Sequence, residues 1–221
     1  MKIVQIGTNS GFDTTNRFLK SYALTYDVSM DLVLLIEPLR KLNANIISNY
    51  QGMNNVHIEN VAIVSNNDTN FVDFFCNFSK VGLDEHSSLS KSHLLYKIGK
   101  DSGHVEETVE KITVPCETIM SMLNRHFVKH LDILFIDAEG SDGDIIMSID
   151  FASVSIHTII YEDRFLETEM SKKIQSLLKD KGYSSYLLSN GDVIATTLDI
   201  YENHIIHHLS SVYKSNFETK I

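Results

Sequence analysis

The sequence predicts an α/β fold: a mostly parallel sheet with helices on both faces, finished by a C-terminal antiparallel hairpin. Three observations carry this. Continuous apolar runs at Ile3–Ile6, Asp31–Ile36 and Leu131–Ile136 read as strands buried on both faces. Segments of helical spacing lie between them, as with Phe18, Leu19, Tyr22 and Tyr26. Near the end, Tyr183–Leu188 and Val193–Leu198 flank Ser189-Asn190-Gly191-Asp192, and Asn-Gly between two apolar runs signals a hairpin.

The first element organises the rest. Lys2–Thr15 (KIVQIGTNSGFDTT) joins a strand to a loop and a helix start, with Asp13 or Thr14 as the cap. Gly7 and Gly11 let the backbone bend sharply or approach a ligand. Such a loop lies at the carboxyl end of a strand and below a helix N-terminus, where open α/β sheets bind ligands. Asn9 and Phe12 stand where the dinucleotide fingerprint needs glycines, and no G-x-x-x-x-G-K-[ST] occurs, so phosphate-cradling nucleotide folds are disfavoured.

The second strand ends in Glu37-Pro38, and Pro38 in a first helical turn loses no needed hydrogen bond. A carboxylate at that tip can accept from both hydroxyls of a ribose; the plainer reading is an acid favoured by a helix dipole. Leu39, Leu42, Ile46 and Tyr50 then give a helix its buried face. Val56–Val64 reads as strand three, with Asn60 to Ala62 near the ligand end, and Phe71–Phe75 as a small extra strand. Ser79–Val105 is polar and shows neither period, which suits a substrate-facing cap or disorder. Val105–Pro115 reads as extended and Cys116–Phe127 as a helix.

Leu131–Ile136 delivers Asp137-Ala138-Glu139-Gly140 to the same edge, and strand alternation would point both acids to one side. Asp142 and Asp144 add charge at the next helix start. Ile156–Tyr161 ends in Glu162-Asp163-Arg164, and a helix bearing Met170, Ile174, Leu177 and Leu178 stops at Gly182. An extra helix over 201–213 has an apolar face of Ile205, Ile206, Leu209, Val212 and Tyr213, with His204, His207 and His208 expected toward solvent. His126 and His130 read as a surface pair, because HFVKH lacks the Glu of a zinc-protease helix. Histidines of the polar segment are candidate substrate contacts or bases.

Composition bounds the partners. Lys and Arg number 19 against 29 Asp and Glu, and no basic run appears, so nucleic acid is not an expected partner. No apolar run approaches the roughly 18 residues of a membrane span. Cys76 and Cys116 alone allow no disulfide framework, and no signal-peptide pattern is seen, so a cytoplasmic location is expected. The expected organisation is one domain over 1–221, with a loop or cap at 79–105 and the helix at 201–213, as a monomer or homodimer.

With these pieces placed, the chain resembles the FkbM family of methyltransferases from Val4 to about Thr196. The motifs are VQIGTNSGF, LLIEP, NVHIENVAIVSN, Ser87-Ser88-Leu89, FIDAEG at Phe135–Gly140, and IIYEDRF. The resemblance implies a Rossmann-like class I methyltransferase fold, S-adenosylmethionine as donor, and O-methylation of a sugar, glycan or similar small molecule. It assigns the donor to Gly7, Thr8, Asn9, Ser10, Gly11, Glu37, Pro38, Ala62, Ser88 and Asp137. Asp137, Glu139 and Glu162 are the candidate catalytic residues, acting as general base or as ligands of magnesium. Gln5 stands where the family usually has Asp, Phe135 replaces a common Lys, and Ser141-Asp142-Gly143 replaces the usual Ala-Glu. A non-catalytic donor-binding subunit and a nicotinamide oxidoreductase are the competing readings.

Overall fold

The structure is a computed structural model describing residues 1–66, 68–77, 87–102 (side chains to residue 96), 109–188 and 190–214. Residues 79–86 and 103–105 of the polar segment, with His86 and His104, lie outside the described residues, as does Ser189 of the hairpin turn.

The main sheet contains β1 (Lys2–Ile6), β2 (Leu32–Ile36), β3 (Val56–Glu59), β8 (His130–Ile136), β9 (Ser155–Glu162), β10 (Ser184–Leu187) and β11 (Asp192–Thr196). Its order is β10-β11-β9-β8-β1-β2-β3, and β11 alone runs against its neighbours. The ladders set Ile6 beside Ile36 and Ile136, and Ile136 beside Tyr161. Four strands thus end level, and Glu37, Gly7, Asp137 and Glu162 emerge side by side at one edge.

Alternation in these strands fills two cores. Ile3, Val33, Leu35, Ile133 and Phe135 pack with α1 (Thr14–Tyr26) and α7 (His204–Tyr213) on one face. Val4, Ile6, Leu34, Leu134 and Ile136 pack on the other with α4 (Ile119–Arg125), α5 (Asp142–Met147) and α6 (Thr168–Asp180). Burial on both faces is why these runs read as continuously apolar. Asp13 caps α1 as expected, its side chain accepting from the Asn16 N–H.

A second sheet, in the order β4-β7-β5-β6, stands beside the first. It contains β4 (Ala62–Val64), β5 (Phe71–Asn77), β6 (Ser87–Ser88) and β7 (Val109–Thr118). Val56–Val64 is therefore not one strand. At Asn60 the chain leaves the first sheet, and the Asn60 side chain donates to Glu37 O and exchanges hydrogen bonds with Asn43, holding the corner.

Other boundaries shift for local reasons. Cys116–Thr118 belong to β7, since Ala62 and Val64 pair with Cys116 and Thr118, and the helix begins only after Thr118 caps it. The face from Leu39 to Tyr50 splits into a 3-10 turn at Arg40–Leu42 and a short α2 (Asn43–Asn49). Within the polar segment, Lys91–Ser102 forms α3, although the sequence there shows no clear helical period. The C-terminal helix starts at His204, because Asn203 supplies the cap to the Ile205 N–H.

Candidate active site

Gly7 leaves β1 with φ of 80°, and its N–H and that of Thr8 both donate to Ile36 O, at 3.0 and 3.1 Å. A Cβ at Gly7 would collide with the Asp137 carbonyl, so only glycine lets the two loops cross so closely. Gly11, at φ of 74°, lies against the Ile46 backbone and the Tyr50 ring. Between them, Asn9 turns through φ of 50° and donates its N–H to Glu37 Oε2 at 2.8 Å. The other carboxylate oxygen of Glu37 accepts the Leu39 N–H at 3.0 Å. Glu37 is buried, and its carboxylate ties the loop after β1 to the turn after β2.

Gly7, Asn9 and Glu37 line a cleft of about 590 Å³, the open solvent at its mouth included. Gly7, Asn9, Glu37 and Pro38 form one side, and Asp137, Ala138 and Glu139 another. Val61, Ala62, Ile63, Phe74 and Leu89 form an apolar wall. An apolar wall with few placed polar groups is the usual chemistry of small-molecule sites.

The acid loop is not an extension of β8. The strand ends at Ile136, the Asp137 N–H donates to Ile6 O, and Glu139 and Gly140 take φ of 51° and 94°. Asp137 reaches the cleft directly from the strand end, and Glu139 reaches it by this turn rather than by strand alternation. Ser88 Oγ donates to Glu139 O at 2.8 Å, and His93 of α3 places Nε2 3.6 Å from Glu139 Oε2. Asp142 is buried and accepts the N–H groups of Ala138 and Glu162, both at 3.2 Å. Burial, with the Glu162 charge adding to it, pushes its carboxyl up to about 7 against those hydrogen bonds.

Ligand atoms of Asp137, Glu139 and Glu162 lie within 4.8 Å of one another. Glu162 Oε1 also accepts from Arg164 Nε at 2.6 Å. Three carboxylates so close suit a hard cation or the sharing of a proton.

A second cleft of about 480 Å³ meets the first at Ile6 and Asp137. Glu162, Asp13, Asp192 and Tyr213 give it an acidic, hydroxyl-bearing lining. The unusual residues Gln5 and Phe135 are here. Gln5 is buried, donating to Asp13 Oδ2 at 2.6 Å and accepting the Tyr50 hydroxyl at 3.0 Å. Phe135 is buried with its ring 6.1 Å from that of Phe18.

Of the expected residues, Gly7, Asn9, Glu37, Pro38, Ala62, Asp137 and Glu139 line the first cleft, and Glu162 lines the second. Thr8, Ser10, Gly11 and Ser88 do not. Thr8 is fully buried, Ser10 O accepts from the Asn49 side chain, and Ser88 is spent on the Glu139 backbone. Sequence reasoning missed the bridging role of Asp142 and singled out no particular histidine of the polar segment; among the described residues, His93 is the one set over the acids. Its position five residues after Ser88 of the Ser-Ser-Leu element is the signal that could have found it.

The pattern of the methyltransferase FkbM domain matches residues 5–185. A mostly parallel sheet ended by an antiparallel hairpin is the class I methyltransferase arrangement, and the chain belongs to the FkbM methyltransferase family. No curated protein matches the chain. Among solved structures it is similar to methyltransferase FkbM from Methylobacillus flagellatus KT, at 12% identity and a TM-score of 0.48 over 88% of this chain. The chain spans 43% of that protein's length. The Methanococcus jannaschii fibrillarin pre-rRNA processing protein gives 10% identity and a TM-score of 0.43, covering 88% of this chain and 64% of that one. The ribosomal protein L11 methylase from Lactobacillus delbrueckii subsp. bulgaricus gives 10% and 0.37, covering 88% and 67%.

Proposed function

We propose that the chain is an S-adenosylmethionine-dependent O-methyltransferase acting on a hydroxyl of a sugar, glycan or similar small metabolite. The observation that carries this reading is the convergence of the Gly7–Asn9 turn, the Glu37 carboxylate and the Asp137 and Glu139 acids on one cleft, in a member of a methyltransferase family. The lining fits the donor by chemistry. The apolar wall suits a flat heteroaromatic ring, Glu37 suits ribose hydroxyls, and the loop backbone suits the amino-acid part. Gly7 and Asn9 face that part, while Thr8, Ser10 and Gly11 set the loop's shape.

When bound, S-adenosylmethionine supplies an electrophilic methyl group. The chain's own work is to hold an acceptor hydroxyl in line and to take its proton. Asp137, at the junction of the two clefts, is placed to meet an acceptor entering from the second. Asp137 or Glu139 takes the proton, and Glu162 orients a neighbouring hydroxyl; these three carboxylates are also the residues that would hold a magnesium ion, which would lower the pKa of the acceptor hydroxyl.

Calorimetry with the donor and its demethylated product tests the first half, with one site expected. Glu37→Ala removes the ribose acceptor and should cost about 1.5–3 kcal/mol of donor affinity. Glu37→Gln, which keeps one acceptor oxygen for the loop, should lose less. Equal affinity in Glu37→Ala and wild type would falsify the placement. Turnover of labelled donor with sugar acceptors tests the second half; donor binding without turnover on any acceptor would favour an accessory subunit.

A further inference from the structure

We propose that His130, Asp132 and His157 form a binding site for a divalent transition metal, zinc foremost, at the sheet edge opposite the two clefts. β8 and β9 run parallel, with His130 beside Ser155 and Ile133 beside Thr158, which sets Asp132 level with His157. His130 and Asp132 are two apart on one strand, the spacing that returns side chains to one side.

The separations are those of ligands around an ion. Asp132 Oδ1 stands 3.5 Å from His130 Nε2 and 3.8 Å from His157 Nδ1, and the three ligand atoms lie within 4.8 Å of one another. Both distances are long for a hydrogen bond. Around a tetrahedral zinc with ligands at about 2.0–2.1 Å, neighbouring ligand atoms stand roughly 3.3–3.4 Å apart, so a small inward movement closes the site.

The supporting contacts are already made. The Lys2 N–H donates to Asp132 Oδ2 at 2.7 Å, which leaves Oδ1 to the imidazoles. His130 Nδ1 lies 2.9 Å from Ser155 Oγ, and the tautomer that donates there carries its lone pair on Nε2, toward the site. Two imidazoles and one carboxylate select a borderline ion over magnesium. The histidines are 40% and 41% exposed, so a fourth position is open to water. At a strand rise of about 3.3 Å per residue, the site is some 15–25 Å from Asp137. It would tie β8 to β9, and through Lys2 to β1, away from methyl transfer.

Zinc chloride titrated into the full chain, stripped beforehand with chelator, tests this by calorimetry. One zinc per chain is expected in wild type, and equally in an Asp137→Asn, Glu162→Gln variant that disables the three-carboxylate group. Ser155→Ala should weaken binding about ten- to hundredfold, and His157→Ala or His130→Ala by more. Cobalt(II) should give the intense visible bands of four-coordination in wild type and lose them in His157→Ala. Zinc should raise the melting temperature of wild type and not of that variant. Should His157→Ala fail to fold, Asp132→Asn carries the same test. Absence of stoichiometric zinc in wild type, or wild-type affinity in a folded ligand variant, overturns the proposal.

Discussion

Asp142 accepts one backbone N–H from the loop after β8 and another at the end of β9, so a single buried carboxylate fixes how Asp137, Glu139 and Glu162 face one another. Those three acids repel, and their proximity is held by the surrounding hydrogen bonds rather than by mutual attraction. Relieving that repulsion should leave stability unchanged or improved, while chemistry suffers. Asp137→Asn and Glu139→Gln keep shape and remove charge. In the proposed roles, each should lower turnover by about a hundredfold or more with donor affinity largely kept, measured with labelled donor once an acceptor is found. A magnesium role adds loss of activity with chelator and recovery on adding the metal; a simple base shows neither. Variants that unfold, or that turn over at the wild-type rate, return these acids to a structural part.

At the scale of elements, α7 is part of the core rather than an addition to it. Ile205, Ile206 and Leu209 are buried against the first face of the sheet. Its histidines are not all turned to solvent, as their spacing suggested. His208 Nε2 lies 2.7 Å from Ser21 Oγ, and its ring meets Phe18 and Tyr22 edge-on at 5.5 and 5.4 Å. His204 stacks on Tyr22 at 5.8 Å. Each buried aliphatic side chain stabilises by about 1.5–3 kcal/mol. A chain ended after Asp199 should therefore melt far lower and aggregate, as light scattering during a thermal ramp would show. A clean change from dimer to monomer with the melting temperature kept would instead make α7 an interface.

Across the whole molecule, the two sheets are joined by charge as well as by packing. Arg125 at the end of α4 donates to both oxygens of Glu59 in β3, at 2.8 and 3.2 Å, and also pairs with Glu117 in β7. His126 Nε2 lies 2.7 Å from Glu59 Oε1, so the expected pair of His126 and His130 is not one; His130 faces Asp132. Burial raises the Glu59 carboxyl, but the hydrogen bonds from Arg125 and His126 outweigh it and hold the pKa below 4.5. The unfolded chain therefore takes up this proton first on acidification. Stability from the link is fully present above pH 4.5 and lost as pH falls through the folded value. Glu59→Gln should be less stable near neutrality and flatter as pH falls below 4.5 by urea denaturation; an unchanged acid slope would remove Glu59 from this role. Among the described residues no helix is long and apolar enough to cross a membrane.

What the sequence determined by itself is local and periodic. The buried strands, the capped α1, the hairpin and the residues leaving each strand tip were legible, because a parallel sheet buried on both faces imprints unbroken apolar runs and sets polar residues at their ends. The family was legible in the same strand-tip motifs. Tertiary structure alone decided the rest. The split of Val56–Val64 depends on which sheet each half joins, and α3 forms in a polar stretch whose face toward Phe165 and Glu139 shows only when those residues are near. Glu139 reaches the cleft through a left-handed turn that alternation does not encode. His130, Asp132 and His157 lie on two strands, and only the register of β8 against β9 brings them together. Pairing across strands is non-local, so its consequences are absent from any window of the chain and appear only when the sheet is assembled.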